Sequence, residues 1–340
     1  MQRIVVKIGT NLLTNEDGSL NRIFVEKIAS EIKKLFVNKK EVVLVTSGAV
    51  AAGRGELKLE RLDNETLHEK QALAAVGQGS LMQKYYKAFT LENKITIAQV
   101  LLTPQDFENL DTLQNTHNTL KLLITKKVLP IVNENDVTST DELKYMANDR
   151  LAAKVANLVG ADSLILLTDV DGLFEEDPHE NAKAKLVKSA DKRNLKKHFA
   201  AAGEANGNGH GGMRTKLEAA KIAECEVFIA NGNARNVLNE IVLKSENPGT
   251  VIRGEPVREL LRFEHCFVNG KCIVKNSLCG NFTPKILNKS GRLPLVLGYQ
   301  LWLADRCFLL RHGKLGIGNP RLVENFQLVR QDRISSGSPK

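Results

Sequence analysis

The chain has 340 residues with 48 Lys+Arg against 39 Asp+Glu, a formal net charge of +9, and is long enough for roughly two domains with a core each. Its five cysteines, Cys225, Cys266, Cys272, Cys279 and Cys307, contain no CxxC pair, which argues against a disulfide framework or zinc ribbon and for a reducing, cytoplasmic compartment. No apolar run approaches the roughly 20 residues of a membrane span, and the opening MQRIVVKIGT enters a strand-like run without a signal-peptide core, so a soluble protein is expected.

In chain order, six short apolar runs read as strands: RIVVKI (3–8), EVVLVT (41–46), ITIAQVLL (95–102), VLPIV (128–132), SLILLT (163–168) and VFIA (227–230). Between most of them lie segments of helical period, such as RIFVEKIASEIKKLF and NDRLAAKVANLVGA. Strands rich in Val, Ile and Leu that alternate with helices predict a doubly wound α/β sandwich, a mainly parallel sheet covered on both faces. Five of the runs leave into small polar clusters: GTN after Ile8, SGA after Thr46, NEND after Val132, TDVDG after Leu167 and NGN after Ala230. In a parallel sheet, the crevice beyond the carboxyl ends of the strands is where ligands bind. Any one cluster reads equally well as an ordinary turn; five on one edge read as a site.

The segment 178–206 is charged and weakly patterned, and is expected to cover a nucleotide. It leads into NGNGHGGMRTKLEAAKI, where four of the six residues 207–212 are glycine. Leu217, Ala220 and Ala223 then repeat at helical spacing behind Lys216. A flexible linker explains the glycines but not the abrupt helix; a phosphate seat made of loop N–H groups and a helix N-terminus explains both. The stretch is neither a Walker A loop nor G-x-G-x-x-G after a first strand. Lys7 ends the first strand, with Gly9 and Thr10 behind it. Two lysines at one sheet edge can hold a triphosphate from both sides and neutralise a phosphoryl group in transfer.

Helix–strand alternation stops near NPGTVI (247–252), where the domain boundary is expected: 1–252, then 253–333 and a polar, disordered tail 334–340. Residues 1–250 carry 33 basic and 33 acidic side chains, and residues 251–340 carry 15 and 6, so the whole net charge lies in the last 90 residues. Such an appendage suits an anionic partner such as RNA, although basic residues on a solvated surface are the commoner meaning. The runs KCIV, LPLVLGY and DRCFLLRHG predict a β-rich unit. The spacing of His265, Cys266, Cys272 and Cys279 fits no common zinc module.

VVKIGTNLLT (5–14), VVLVTSGAVAAG (42–53), KQALAAVGQGSLM (70–82), VLPIVNEND (128–136), LLTDVDGLFEEDP and GGMRTKLEAA (211–220) resemble, in order and spacing, the amino acid kinase family, in its glutamate-phosphorylating branch. The resemblance covers about residues 3–252. It implies ATP-dependent phosphorylation of the side-chain carboxylate of L-glutamate to L-glutamyl 5-phosphate, the first step of proline synthesis, with Mg²⁺ arriving on ATP. It also implies that Lys7 and Lys216 flank the transferred phosphoryl and that Asp149 orients them. The ATP site would be Lys7, Gly9, Thr168, Asp169, His210, Gly211, Gly212, Met213, Arg214, Thr215 and Lys216. The glutamate site would be Ser47, Asp136 and Asn148. Simpler roles are compatible with these: Asn148 and Asp149 can cap the helix they open, and Ser47 the helix after it.

Two positions depart from the pattern. YMAND (145–149) places Ala147 where relatives carry a carboxylate of the glutamate site, and His210 stands where a threonine is usual. A homo-oligomer, dimer or tetramer, is expected from the resemblance, as is transfer of product to glutamyl phosphate reductase. The C-terminal region lies where many relatives carry an RNA-binding PUA domain, which it resembles loosely. The rival readings are a kinase of another small carboxylic acid and a nucleotide-binding, RNA-associated regulator; keeping Lys7, Asp149 and Lys216 together argues against the second.

Overall fold

The computed structural model describes residues 2–15, 19–60, 65–138, 148–176, 178, 181, 183–201 and 212–254, and the backbone of short strands between 264 and 318. The chain divides into two compact units, 1–258 and 259–340. Among the described residues no helix is long and apolar enough to cross a membrane.

In the first unit the elements run β1 Arg3–Ile8, α1 Thr10–Leu13, α2 Arg22–Val37, β2 Glu41–Val45, α3 Ala49–Leu57 and α4 Leu67–Tyr85. There follow β3 Ile97–Leu102, α5 Leu110–Thr125, β4 Leu129–Glu134, α6 Asn148–Val159, β5 Ser163–Thr168 and β6 Ser189–Asp191. The last are α7 Lys196–Ala201, α8 Met213–Ile222, β7 Glu226–Asn231, α9 Val237–Leu243 and β8 Thr250–Arg253. The sheet order is β3-β4-β2-β1-β5-β7-β8-β6. The six strands from β3 to β7 are mutually parallel, and β8 runs antiparallel to β7. This is the doubly wound α/β sheet that the apolar runs predict.

Burial on both faces explains why these strands read as unbroken apolar runs rather than as alternation. In β1, Ile4, Val6 and Ile8 pack into one core with Phe24, Ile28 and Ile32 of α2, Leu81 and Tyr85 of α4, and Leu238 of α9. By strand alternation, Val5 and Lys7 lie on the other face, where α6 and α8 pack. Helix starts are written locally: Asn21 accepts from the N–H of Phe24, Thr66 and Glu69 form a capping box, and Asn109 accepts from the N–H groups of Asp111 and Thr112.

Two strands were not among the predicted runs. β6 is Ser-Ala-Asp, inside the segment expected only to cover a nucleotide, and β8 is Thr-Val-Ile-Arg, at the expected boundary. Both are too short to show a period. β8 belongs to the first unit's sheet, with Thr250, Val251 and Ile252 buried. The Thr250 hydroxyl accepts from the N–H of Leu173 at 2.9 Å and donates to the carbonyl of Val187 at 2.6 Å.

Helices α3 and α4 cross where Gly53 meets Gly77. A Cβ on Gly53 would lie 1.9 Å from the carbonyl oxygen of Leu73, and one on Gly77 would lie 1.8 Å from that of Ala49. Neither backbone oxygen can move without parting the helices. Gly77→Ala is therefore expected to destabilise the protein by about 1–3 kcal/mol, the usual cost of overpacking. Thermal melts check this; an unchanged midpoint would mean that the helices separate freely.

In the second unit, β9 Glu264–Val268 pairs antiparallel with β10 Lys271–Lys275. β11 Gln300–Leu303, β12 Arg306–Arg311 and β13 Lys314–Gly318 form an antiparallel meander. The run LPLVLGY and the polar tail lie outside the described residues.

Candidate active site

The chain passes from β1 to β2 on one side, while β5 returns on the other, so the switch point lies between β1 and β5. There the carboxyl ends of neighbouring parallel strands diverge into a crevice. Lys7 is opposite Val45 of β2 and Leu166 of β5, and just beyond it the N–H of Gly9 donates to the carbonyl of Leu167 at 3.2 Å. The clusters after β1, β2, β4, β5 and β7 share this edge because their strands are parallel.

Lys7 and Lys216 are each 4% exposed and Asp149 is 0% exposed. Lys7 Nζ lies 2.7 Å from Asp149 Oδ1, and Lys216 Nζ lies 3.6 Å from Asp149 Oδ2. The Thr215 hydroxyl is 2.6 Å from Asp149 Oδ2 and 2.9 Å from the carbonyl of Gly212. It has a single proton, which favours the carboxylate, the charged acceptor. One buried carboxylate thus stands between the side-chain nitrogens of two lysines from different elements.

Burial lowers the Lys7 pKa from its ordinary value of 10.5, with Asp149 opposing the shift and Lys216 adding to it. Burial would raise the Asp149 carboxyl, but Lys216, Lys7 and Thr215 outweigh it and hold the group at about 2. Asp149 is therefore a fixed anion at neutral pH, and its role is positional.

The second residue of α6 is Asp149 and the fourth of α8 is Lys216, and the two helices are tied near both ends. Arg150 donates to Glu218 Oε2 through Nε at 3.0 Å and through Nη2 at 2.7 Å. Farther along, Asn157 Nδ2 donates to the carbonyl of Ile222 at 2.9 Å and its Oδ1 accepts from the N–H of Glu224 at 2.8 Å. Lys7 comes from the strand beneath. The triad is held by a strand and two helices, not by a loop.

The other predicted residues fall as follows. Thr168 ends β5 and Asp169 follows it, with Asp169 accepting from Asn11 Nδ2 at 2.8 Å and from the Thr168 hydroxyl at 3.1 Å. Burial works against the Asp169 charge, but these bonds hold its pKa below the ordinary carboxylate value. Gly212 precedes α8 and Met213 opens it, while exposed Arg214 lies 3.6 Å from Glu218 Oε1 and not at the triad. Ser47 is buried after β2, before Gly48, whose φ of +94° favours glycine. Asp136 follows β4, where burial pushes its carboxyl up to about 6. Asn148 opens α6, and its Oδ1 is buried with no hydrogen-bond partner among the described residues. His210, Gly211 and Ala147 lie outside the described residues.

Two polar residues were missed. Asn133, at the end of β4, is 2% exposed, and neither of its amide atoms has a hydrogen-bond partner among the described residues. A buried amide left unpaired is costly. Asn11 braces Asp169. Both stand inside the clusters NEND and GTN; the signal was present, but nothing in sequence ranks one polar residue of a cluster over the next.

No group of three or more His, Cys, Asp or Glu residues converges among the described residues, and Asp149 and Asp169 are already engaged. A divalent cation that arrives on phosphate oxygens needs only one or two carboxylates from the protein.

The sequence profile of the amino acid kinase family matches residues 2–231, and the chain belongs to that family. An isopentenyl phosphate kinase structure shares the fold, with a TM-score of 0.54 at 20% identity over 74% of this chain and 100% of that one. Within the family the chain is one of the glutamate 5-kinases. It is 46% identical over 251 residues to the glutamate 5-kinase of Thermoanaerobacter sp. (strain X514), covering 73% of this chain and 67% of that protein. With the glutamate 5-kinase of Clostridium perfringens (strain 13 / Type A) it shares 44% over 257 residues, 74% of this chain and 94% of that one.

Proposed function

We propose that the Lys7–Asp149–Lys216 triad is the phosphoryl-transfer centre of this glutamate 5-kinase, which phosphorylates the side-chain carboxylate of glutamate with ATP in proline biosynthesis. One observation carries the assignment: two buried lysines share a single carboxylate at the switch point of a parallel sheet. The nucleophile, a carboxylate with an ordinary pKa of about 4.3, is already ionised at neutral pH and needs no general base. The barrier is repulsion between two anions. Lys7 at the strand end and Lys216 in the first turn of α8 approach the phosphoryl from different elements and neutralise its equatorial oxygens. Asp149 keeps both lysine side chains aimed. Mg²⁺ carried on ATP supplies further charge neutralisation on the phosphate oxygens.

Glutamate is placed by Ser47, Asp136 and Asn148 across the crevice. The test is hydroxamate formation with hydroxylamine, which traps the acyl phosphate. Dependence on both ATP and glutamate, with little product from aspartate or N-acetylglutamate, is the expected result; product from another acid in place of glutamate would overturn the substrate.

Asp136 gives the reaction an acid limb. With its carboxyl at about 6, the anion that meets the α-ammonium group is lost as pH falls through that value. For glutamate, kcat/KM is expected to fall below about pH 6 in step with this protonation. Asp136→Asn should bind glutamate more weakly and lose this limb; an unchanged profile would remove Asp136 from the pocket.

Every assigned residue precedes Gly254, and the aligned stretch accounts for nearly all of the Clostridium perfringens relative. A chain ending at Gly254, which keeps β8, is expected to stay folded and active. A folded truncation that binds ATP but turns nothing over would mean that residues 255–340 complete the site or an oligomer.

A further inference from the structure

The turn that carries Ser47 is tied to a side chain that the reaction does not touch. Thr46 follows β2, and its N–H donates to the carbonyl of Val132 at 2.9 Å, so the main chain there is still held by the sheet. The Thr46 hydroxyl lies 3.1 Å from the carbonyl oxygen of Ser47 and 2.6 Å from the hydroxyl of Tyr85. All three residues are buried. The direction of these bonds follows from chemistry: a carbonyl oxygen only accepts, so Thr46 spends its one proton on Ser47. The Tyr85 hydroxyl must then donate to Thr46.

We infer that Tyr85 is a positioning residue for the glutamate pocket, acting through a relay from its hydroxyl to that of Thr46 and on to the carbonyl of Ser47. Fixing that carbonyl fixes the peptide plane between Ser47 and Gly48, and with it the direction of the Ser47 side chain. Gly48, at φ +94°, has no side chain of its own to hold the turn. The relay anchors it to α4, whose last residue is Tyr85 and whose Gly77 already presses on Gly53 of α3. Residues 86–92 continue α4 as π-helical turns, a local rearrangement often found at functional sites. The ring is wedged against Phe89, with centroids 6.0 Å apart. Burial raises the Tyr85 pKa far above the ordinary phenol value, with Thr46 opposing, so the hydroxyl keeps its proton throughout the working pH range.

The inference rests on Ser47 as a glutamate ligand, and the experiment separates the two claims. Steady-state kinetics and thermal melts are run on Tyr85→Phe, Thr46→Val, Thr46→Ser, the double variant Tyr85→Phe/Thr46→Val, and Ser47→Ala. Tyr85→Phe and Thr46→Val should each raise the apparent KM for glutamate by roughly 2- to 10-fold, the scale of one hydrogen bond, and leave the KM for ATP unchanged. Thr46→Ser, which keeps the hydroxyl, should restore the wild-type value. The double variant should be no worse than Thr46→Val alone, because both changes break one relay. A lower melting temperature with both KM values unchanged, or with both raised alike, would reduce Tyr85 to a core residue. If Ser47→Ala raises the glutamate KM and the relay variants do not, the relay is overturned alone. An unaltered glutamate KM in Ser47→Ala overturns the assignment of Ser47 and the relay with it.

Discussion

Lys7→Met and Lys216→Met are each expected to lower kcat by about 10²–10³-fold with the fold retained, the usual consequence of losing one charged stabiliser of a transition state. Methionine keeps most of the aliphatic volume of lysine, so packing around β1 and α8 survives and the loss reports charge. The effect should fall on kcat more than on KM for ATP, because the charge on the phosphoryl oxygens changes between ground and transition state. Circular dichroism and steady-state kinetics check the pair together. Near-normal turnover in both variants would remove the triad from the mechanism.

The same lysine sets an alkaline limit. Lys7 has its folded pKa depressed by burial, and it is useful only while charged. In the free enzyme, kcat/KM is expected to fall at a pH below that of an ordinary lysine. Lys7→Arg, whose guanidinium stays charged, should be slower but should lose this limb.

Asp149→Asn is expected to abolish measurable turnover and also to destabilise the fold. The amide removes the carboxylate that Lys7 and Lys216 share, and removing one partner of a buried ion pair typically costs about 3–5 kcal/mol. For a unit of this size that amounts to roughly 10 °C in Tm. Linkage gives the sign with pH. The folded pKa of Asp149 is depressed to about 2, so the carboxylate's stabilisation is fully present above its unfolded value near 3.8. It is lost as pH falls through about 2. The difference in stability between wild type and variant should therefore be largest at neutral pH and shrink on acidification towards pH 2. For a lysine depressed in the folded state, the unfolded chain holds more protons in the interval up to 10.5, so stability rises with pH there. The variant should show that rise more strongly than the wild type. Melts across a pH series measure both limbs. A variant as stable as the wild type at pH 7 would show that the shared carboxylate contributes little to the fold.

Much of the fold was legible in the sequence because its central strands are buried on both faces. Such strands are written as runs of Val, Ile and Leu that need no partner to be recognised, and all six became strands. β6 and β8 were not legible: three or four residues carry no period, and they extend because a neighbouring edge offers backbone hydrogen bonds. In the candidate site, motifs and their order pointed to Lys7, Asp149, Lys216 and Ser47. Their arrangement could not. That one carboxylate lies between the side-chain nitrogens of two lysines follows from β1 lying under α6 and from α6 being tied to α8 by Arg150 and Asn157. Thr46 and Tyr85 are 39 positions apart, on a strand end and a helix end, and no spacing rule links them. Which residues could be buried, and which clusters end the parallel strands, was written in the chain, because hydrophobicity and local hydrogen-bonding capacity belong to individual residues. Which buried polar groups meet was set by the folded arrangement, because a hydrogen bond or an ion pair depends on distances of a few ångströms that chain separation does not encode.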